Sequence, residues 1–371
     1  PYISLQLKAI SRSFTILLNY PEVVMPDPAA ALPFWGDTAF AVALLLAAFT
    51  VLFGTRHLDA SERHEGMVAA IAFESLVKLV AFSTVGLFVT LGLYVGHFPE
   101  WDWELIAGQA EVFTSPSIGD FEDWFAISLL AGLAIMMLPR QFQVAVVEIS
   151  DERHLKRALW LVPLYLLLIN VFVVPIALAG QLTFPEGLID ADTFVLTIPM
   201  AHGHPWLALF VFIGGLSAAT GMVIVETIAL STMVSNDLML PTLLRRWRQL
   251  PPDADLGRIT LRIRRGAIIA VLLLGYLYYR IAGDAYALVS IGLISFAAVA
   301  QFAPAMIGGM YWKGGTRAGA FTGLTAGFLV WAYTLVLPSL VQAGWLPDEF
   351  VTQGPFGIGL LKPFELFGMT G

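Results

Sequence analysis

Residues 205–234 read PWLALFVFIGGLSAATGMVIVETIALSTMV, with Glu226 as the only charged side chain in the run. A hydrocarbon core of ~30 Å takes about 20 apolar residues of helix to cross, so a run of this length and character predicts a membrane span. Eight more runs of the same kind lie on either side of it: Pro1 to Asn19 (incomplete), Thr38 to Phe53, Gly66 to Tyr94, Trp124 to Leu138, Ala158 to Gly180, Gly266 to Ala282, Ala285 to Met310 and Ala318 to Leu337. The run from Trp124 is short by itself and continues past Pro139 into Gln141 to Val147. Proline removes a backbone donor and disfavours helical backbone in the residue before it, so a broken helix is expected there.

Composition points the same way. Mean hydropathy is +0.77, and 58% of residues are hydrophobic while 13% are charged, against about 25% charged in soluble domains. Apolar runs recur from end to end without a long polar block, which predicts one continuous all-α integral membrane domain over residues 1–371. The chain has no cysteine, so disulfides and thiolate metal sites are excluded. It opens at Pro1 inside an apolar stretch, with neither an initiator Met nor a leader pattern, and is expected to be a fragment.

The formal net charge of −8 says less than where the charges fall. Fifteen of the 20 Lys and Arg sit in four alternate loops: Arg56 and Arg63; Arg140, Arg153, Lys156 and Arg157; Arg245, Arg246, Arg248, Arg258, Arg262, Arg264 and Arg265; Lys313 and Arg317. The intervening loops, Gly96 to Asp123 and Gln181 to His204, have none and carry acids such as Glu100, Asp120, Glu186, Asp190 and Asp192. Such alternation predicts cytoplasmic basic loops and outward acidic ones, in a multi-pass protein whose first partner is the lipid bilayer. Trp101, Trp103, Trp124, Trp206 and Trp345 lie near predicted span ends on the outward side, where an amphipathic ring suits the interface.

Several segments resemble the sodium:solute symporter family, of the proline-permease-like kind. They are Pro1-Tyr-Ile-Ser-Leu-Gln-Leu-Lys-Ala-Ile, Phe53-Gly-Thr-Arg-His-Leu-Asp-Ala-Ser-Glu-Arg-His-Glu-Gly, Phe73-Glu-Ser-Leu-Val-Lys-Leu-Val-Ala-Phe, Leu216-Ser-Ala-Ala-Thr-Gly-Met through Ser235-Asn-Asp-Leu, and Ala303-Pro-Ala-Met-Ile-Gly-Gly-Met-Tyr-Trp-Lys. More narrowly, they are similar to the symporter-like sensor domain of bacterial hybrid sensor histidine kinases that govern carbon-source use. The resemblance implies a LeuT-type bundle of two inverted repeats, truncated at both ends, in the bacterial inner membrane. Residues 1–94 would be the remainder of the first repeat, 124–310 the second, and 318–337 an accessory helix. Solute and ion sites would lie beside discontinuous helices near the midplane. Because the first two core helices would precede Pro1, the fragment alone is not expected to transport.

In sodium-dependent members of that family a hydroxyl pair on the eighth core helix holds the ion, and the aligned positions here are Gly221 and Met222. Neither supplies a side-chain oxygen; Ser217 and Thr220 lie close by, and their alternative role is to bond backbone carbonyls of their own helix. Weak or absent sodium dependence is expected, with sodium or a proton as the coupling ion and no other cofactor. Charges inside spans are costly and mark candidates: Lys8, Arg12, Glu74, Lys78 and Glu226. Glu74 and Lys78 are four apart in the favourable order for a salt bridge. Glu226 either faces a solute or ion route or pairs with Lys8 or Arg12. The break at Pro139, Arg140 and Gln141 is the other candidate, since unwound backbone frees polar groups for a solute. Arg140 either clamps a carboxylate or marks a cytoplasmic helix end. His57 with His64, and His202 with His204, lack the further ligands of a metal site.

No catalytic motif, phosphate loop or nucleic-acid patch is present, so an enzyme activity within this chain is not expected. The readings left open are a solute-sensing or transporting input module of a hybrid kinase, with C-terminal kinase domains and a small amino acid or carboxylate as partners; a free-standing cation-coupled symporter; and a structural membrane anchor.

Overall fold

The computed structural model describes residues 1–26, 33–54, 65–97, 118–149, 151–184, 187, 189–246, 255–282 and 288–363. Among these the chain is helical throughout, with no strand. In chain order α1 is Tyr2–Leu18, α2 Thr38–Phe53 and α3 Glu65–Leu87, the last continuing as a π-helix over Phe88–His97. Next come α4 Ile118–Met137, then α5 Pro139–Phe142 with its π-helical extension Gln143–Val147, α6 Glu152–Asn170, α7 Val173–Thr183 and α8 Phe194–Ala201. Then follow α9 Pro205–Met233, running on through Val234–Met239 and Leu240–Arg246, α10 Leu256–Ala282, α11 Leu288–Ala300, α12 Ala303–Tyr311 and α13 Arg317–Trp331 with its continuation to Gln342.

Five helical stretches are long and apolar enough to cross a membrane, and a sixth is counted if α4 and α5 form one bent span. The other three expected spans form helices that fall short of that test. Two of them, α1 and α2, have 17 and 16 residues. The third, α10, carries Arg258, Arg262, Arg264 and Arg265 along its first turns. The loop acids Glu100 and Glu186, the tryptophans Trp101 and Trp103, the histidines His57 and His64, and the cations Arg56, Arg63 and Arg248 lie outside the described residues.

Local signals set the helix ends. Asp37 is extended (φ −84°, ψ 116°) and accepts the Ala39 amide at 2.9 Å, satisfying one of the donors a helix start leaves open. Thr316 caps α13 through the Gly319 amide at 3.1 Å. Asp151 caps α6 through the Arg153 amide at 2.8 Å, and bonds from the Arg153 amide and side chain hold its carboxyl below the usual carboxylate range.

Packing centres on α1 and α9. Ile3 and Leu7 of α1 are buried with Ala39, Ala43 and Leu46 of α2, Val223 of α9, and Ile268 and Leu272 of α10. A second cluster joins Val85 and Val89 to Ile176 and Ala179 of α7, Phe194 and Ile198 of α8, and Val211 of α9. Where helices draw closest a glycine faces the partner. A Cβ at Gly275 would lie 2.6 Å from the Ile3 side chain, and one at Gly214 would lie 2.7 Å from the Ala81 Cβ. Small residues at such crossings allow the backbone approach that substitutes for hydrophobic driving force in lipid.

Two of the five cations outside the basic loops meet acids at the acidic-loop end. Arg12 pairs with Asp190. Arg280 lies 3.4 Å from Asp37, whose carboxylate also accepts Tyr276 Oη at 2.8 Å. Asp192 accepts the Leu288 amide at 3.0 Å, tying the loop before α8 to the start of α11.

Candidate functional site

The site begins at the break between α4 and α5. Leu138 is extended (φ −64°, ψ 128°), Pro139 opens α5 where no amide donor is needed, and the two helices meet at 52°. The expected interruption is therefore where the sequence places it. The turn brings Arg140 against α1 and α9: its guanidinium carbon sits 4.7 Å from the centre of the Tyr2 ring, within cation–π range. Tyr2 in turn donates its hydroxyl to Met222 Sδ at 3.2 Å.

Glu226, 5% exposed, faces this corner, with the Arg140 backbone amide directed at its carboxylate and the Arg140 guanidinium close by. Arg12, one of the two cations expected as its partners, is engaged by Asp190 at the acidic-loop end instead. Within the corner Glu226 Oε2 and Arg140 Nε are both buried without a hydrogen-bond partner. Buried polar atoms are nearly always satisfied, so an orphan acceptor beside an orphan donor marks a place for a bound molecule or water. The complementary guest donates to Oε2 and accepts from Nε.

Glu74 of α3 approaches the same region from the other side of α9. Its carboxylate lies over Gly221, and a Cβ there would overlap it. The slot that a side chain at 221 would fill is thus occupied by an acid from another helix. The salt bridge expected between Glu74 and Lys78 is not formed; among the described ion pairs neither residue takes part, and the Lys78 ammonium lies 5.8 Å from the centre of the Tyr165 ring. The absent side chain at Gly221 leaves the space that the Glu74 carboxylate fills, while the Lys78 ammonium lies toward the Tyr165 ring.

No family model, curated protein or solved structure matches this chain. The reading of the site rests on its own geometry.

The remaining candidates scatter. Thr220 Oγ1 donates to the Ser217 carbonyl at 2.9 Å, the intrahelical bond given above as its alternative role. Lys8 of α1 is buried, with 1% of its surface exposed. Gln141 lies one residue beyond Arg140 on α5. His202 bonds the Ile198 carbonyl at 2.9 Å, and His204 packs edge-on against Phe88, so the pair is used in packing. Two members of the site had no sequence signal pointing to them: Tyr2, an aromatic at the edge of a run, and Met222, read only as a missing hydroxyl. Asp37 and Arg280 also went unnoticed, although Arg280 was one of the few cations outside the basic loops.

Proposed function

We propose that this chain is a membrane solute-sensing or transporting domain of sodium:solute symporter type, with a LeuT-like arrangement, serving as the input module of a hybrid sensor histidine kinase in a two-component system that controls carbon or nitrogen source use. The observation that carries it is the meeting of a helix break with an interior carboxylate: Arg140, at the 52° bend, beside Glu226. Discontinuous helices whose freed polar groups face ionisable side chains are how membrane bundles hold small polar solutes away from water. One unpaired oxygen on Glu226 and one unpaired nitrogen on Arg140 suit the ammonium and carboxylate of a small amino acid, or a carboxylate alone on the arginine.

The same corner supports weak sodium coupling. A sodium ion wants several oxygen ligands, whereas Gly221 has no side chain and Met222 presents a sulfur that already accepts Tyr2. The test is ligand binding by the purified domain in nanodiscs, across a panel of amino acids and small carboxylates followed by thermal shift. One or a few solutes are expected to stabilise the domain, with Arg140→Gln abolishing the shift and Glu226→Gln reducing it and changing its pH dependence, both leaving the unliganded transition in place. A panel without a single stabilising solute, or stabilisation that survives both substitutions, overturns the assignment. A free-standing symporter is distinguished by sequencing beyond Gly371, where a kinase segment supports sensing.

A further inference from the structure

A second recess lies beside Gly221. A cavity of about 340 Å³ opens between the basic-loop end of α2, the first turns of α3, and α9, bounded by Phe49, Phe53, Gly54, Glu74, Gly221 and Val225. Its walls are apolar and partly aromatic: the Phe49 and Phe53 rings stand 4.5 Å apart between centroids, tilted by 35°. Glu74 is the only charged residue among the described residues that line it. Its carboxylate oxygen fills the place that a Cβ at Gly221 would take, at the contact of α3 with α9.

The charged groups near Glu74 are Lys78 on its own helix and Arg140 of α5, with Tyr165 of α6 beside them and its hydroxyl bonded to the Ser75 carbonyl. None forms an ion pair with it among the described residues. A carboxylate held in an apolar recess lacks the hydration that water would give it and gains most from a cation that brings its own apolar cover. A bare metal ion would find one carboxylate and no further oxygen side chain on these walls. An ammonium group attached to an aromatic or branched hydrocarbon body fits every wall at once: the head to Glu74, the body against Phe49, Phe53 and Val225.

We propose that this recess is a binding site for a small organic ammonium ion, with Glu74 as its counter-charge. The counter-charge and aromatic walls of this recess, Glu74, Phe49 and Phe53, are not the residues altered in the test of the Arg140 corner, so the two readings fail separately. A primary ammonium can come from a soluble amine or from the ethanolamine headgroup of a phospholipid, and the two sources are separable.

The experiment uses the whole chain in nanodiscs of phosphatidylcholine and phosphatidylglycerol, titrated calorimetrically with 2-phenylethylammonium, 2-phenylethanol and 3-phenylpropanoate. The ammonium is expected to bind at least about tenfold more tightly than the alcohol, and the propanoate not at all, as a desolvated charge pair requires. Glu74→Gln is expected to lower the ammonium affinity by about tenfold or more, and Phe53→Ala by a smaller factor. Phosphatidylethanolamine added to the discs weakens phenylethylammonium binding if the lipid headgroup is the natural occupant, and leaves it unchanged if a soluble amine is. Equal binding of ammonium and alcohol by the unaltered chain overturns the proposal, as does undiminished ammonium binding in a folded Glu74→Gln protein. The ligand series on the unaltered chain decides the matter even if the substituted protein does not fold.

Discussion

At the scale of single residues, the buried carboxylates of this molecule do different work according to what faces them. Asp37 caps α2, accepts Tyr276 and pairs with Arg280, so its loss removes a helix cap and a partner of two side chains at once. Asp37→Ala is expected to destabilise the domain by about 3 kcal/mol, in the range for removing one partner of a buried pair, and Asp37→Asn by less because the cap survives; thermal unfolding in nanodiscs measures both. Glu226 has the opposite situation, with an oxygen left over. Glu226→Gln is expected to shift the pH response of solute binding, because it removes the one titrating group at the Arg140 corner on α9. A binding profile identical to that of the unaltered chain from pH 5 to 9 would assign Glu226 to structure alone.

At the scale of elements, two features set the architecture. One is the seam between α3 and α9, where Glu74 meets Gly221 and Ala81 meets Gly214, the same seven-residue step on antiparallel helices. Gly214→Val is expected to force the helices apart and cost about 1–3 kcal/mol by overpacking, read as a lowered Tm. The other is the capping of α6. Because Asp151 has its carboxyl lowered by Arg153, its contribution is present above the ordinary carboxylate range and is lost as pH falls through the lowered value. Faster hydrogen exchange at the Arg153 amide is expected only at strongly acidic pH. Much of this level was legible in the sequence: Thr38–Phe53 and the start at Pro205 coincide with helix limits, and the proline at 139 marks the break. The interruptions at Val171–Phe172 and at Gln301–Phe302 were not, because the apolar run continues past each, although Pro175 and Pro304 stand in the first turn of the helices that follow. Nor was the pairing of Arg140 with Glu226, which joins residues distant in sequence and needs the crossing of α5 with α9 to be known. Glu74 and Lys78, four positions apart, stay charge neighbours without forming an ion pair among those described, the carboxylate lying over Gly221 and the ammonium toward the Tyr165 ring.

At the scale of the whole molecule, the distribution of arginines makes orientation testable. Reporter tags near Asp120 and near Arg248 are expected on opposite sides of the membrane, with Arg248 cytoplasmic, and their appearance in one compartment would remove the basis of the topology. Arg12 and Arg280, which lie near the acidic-loop end, pair there with Asp190 and Asp37. Solute-dependent responses of the parent protein are expected to change little between sodium and potassium buffers at fixed membrane potential, and a steep rise with sodium would count against the site as read. The crowding of Glu74 on Gly221 reaches further still. Two positions 147 apart in the chain share one volume, so neither can drift alone. A lineage that gains a methyl group at one must shorten or turn the acid at the other, and descendants of this protein should record the pair as a linked exchange.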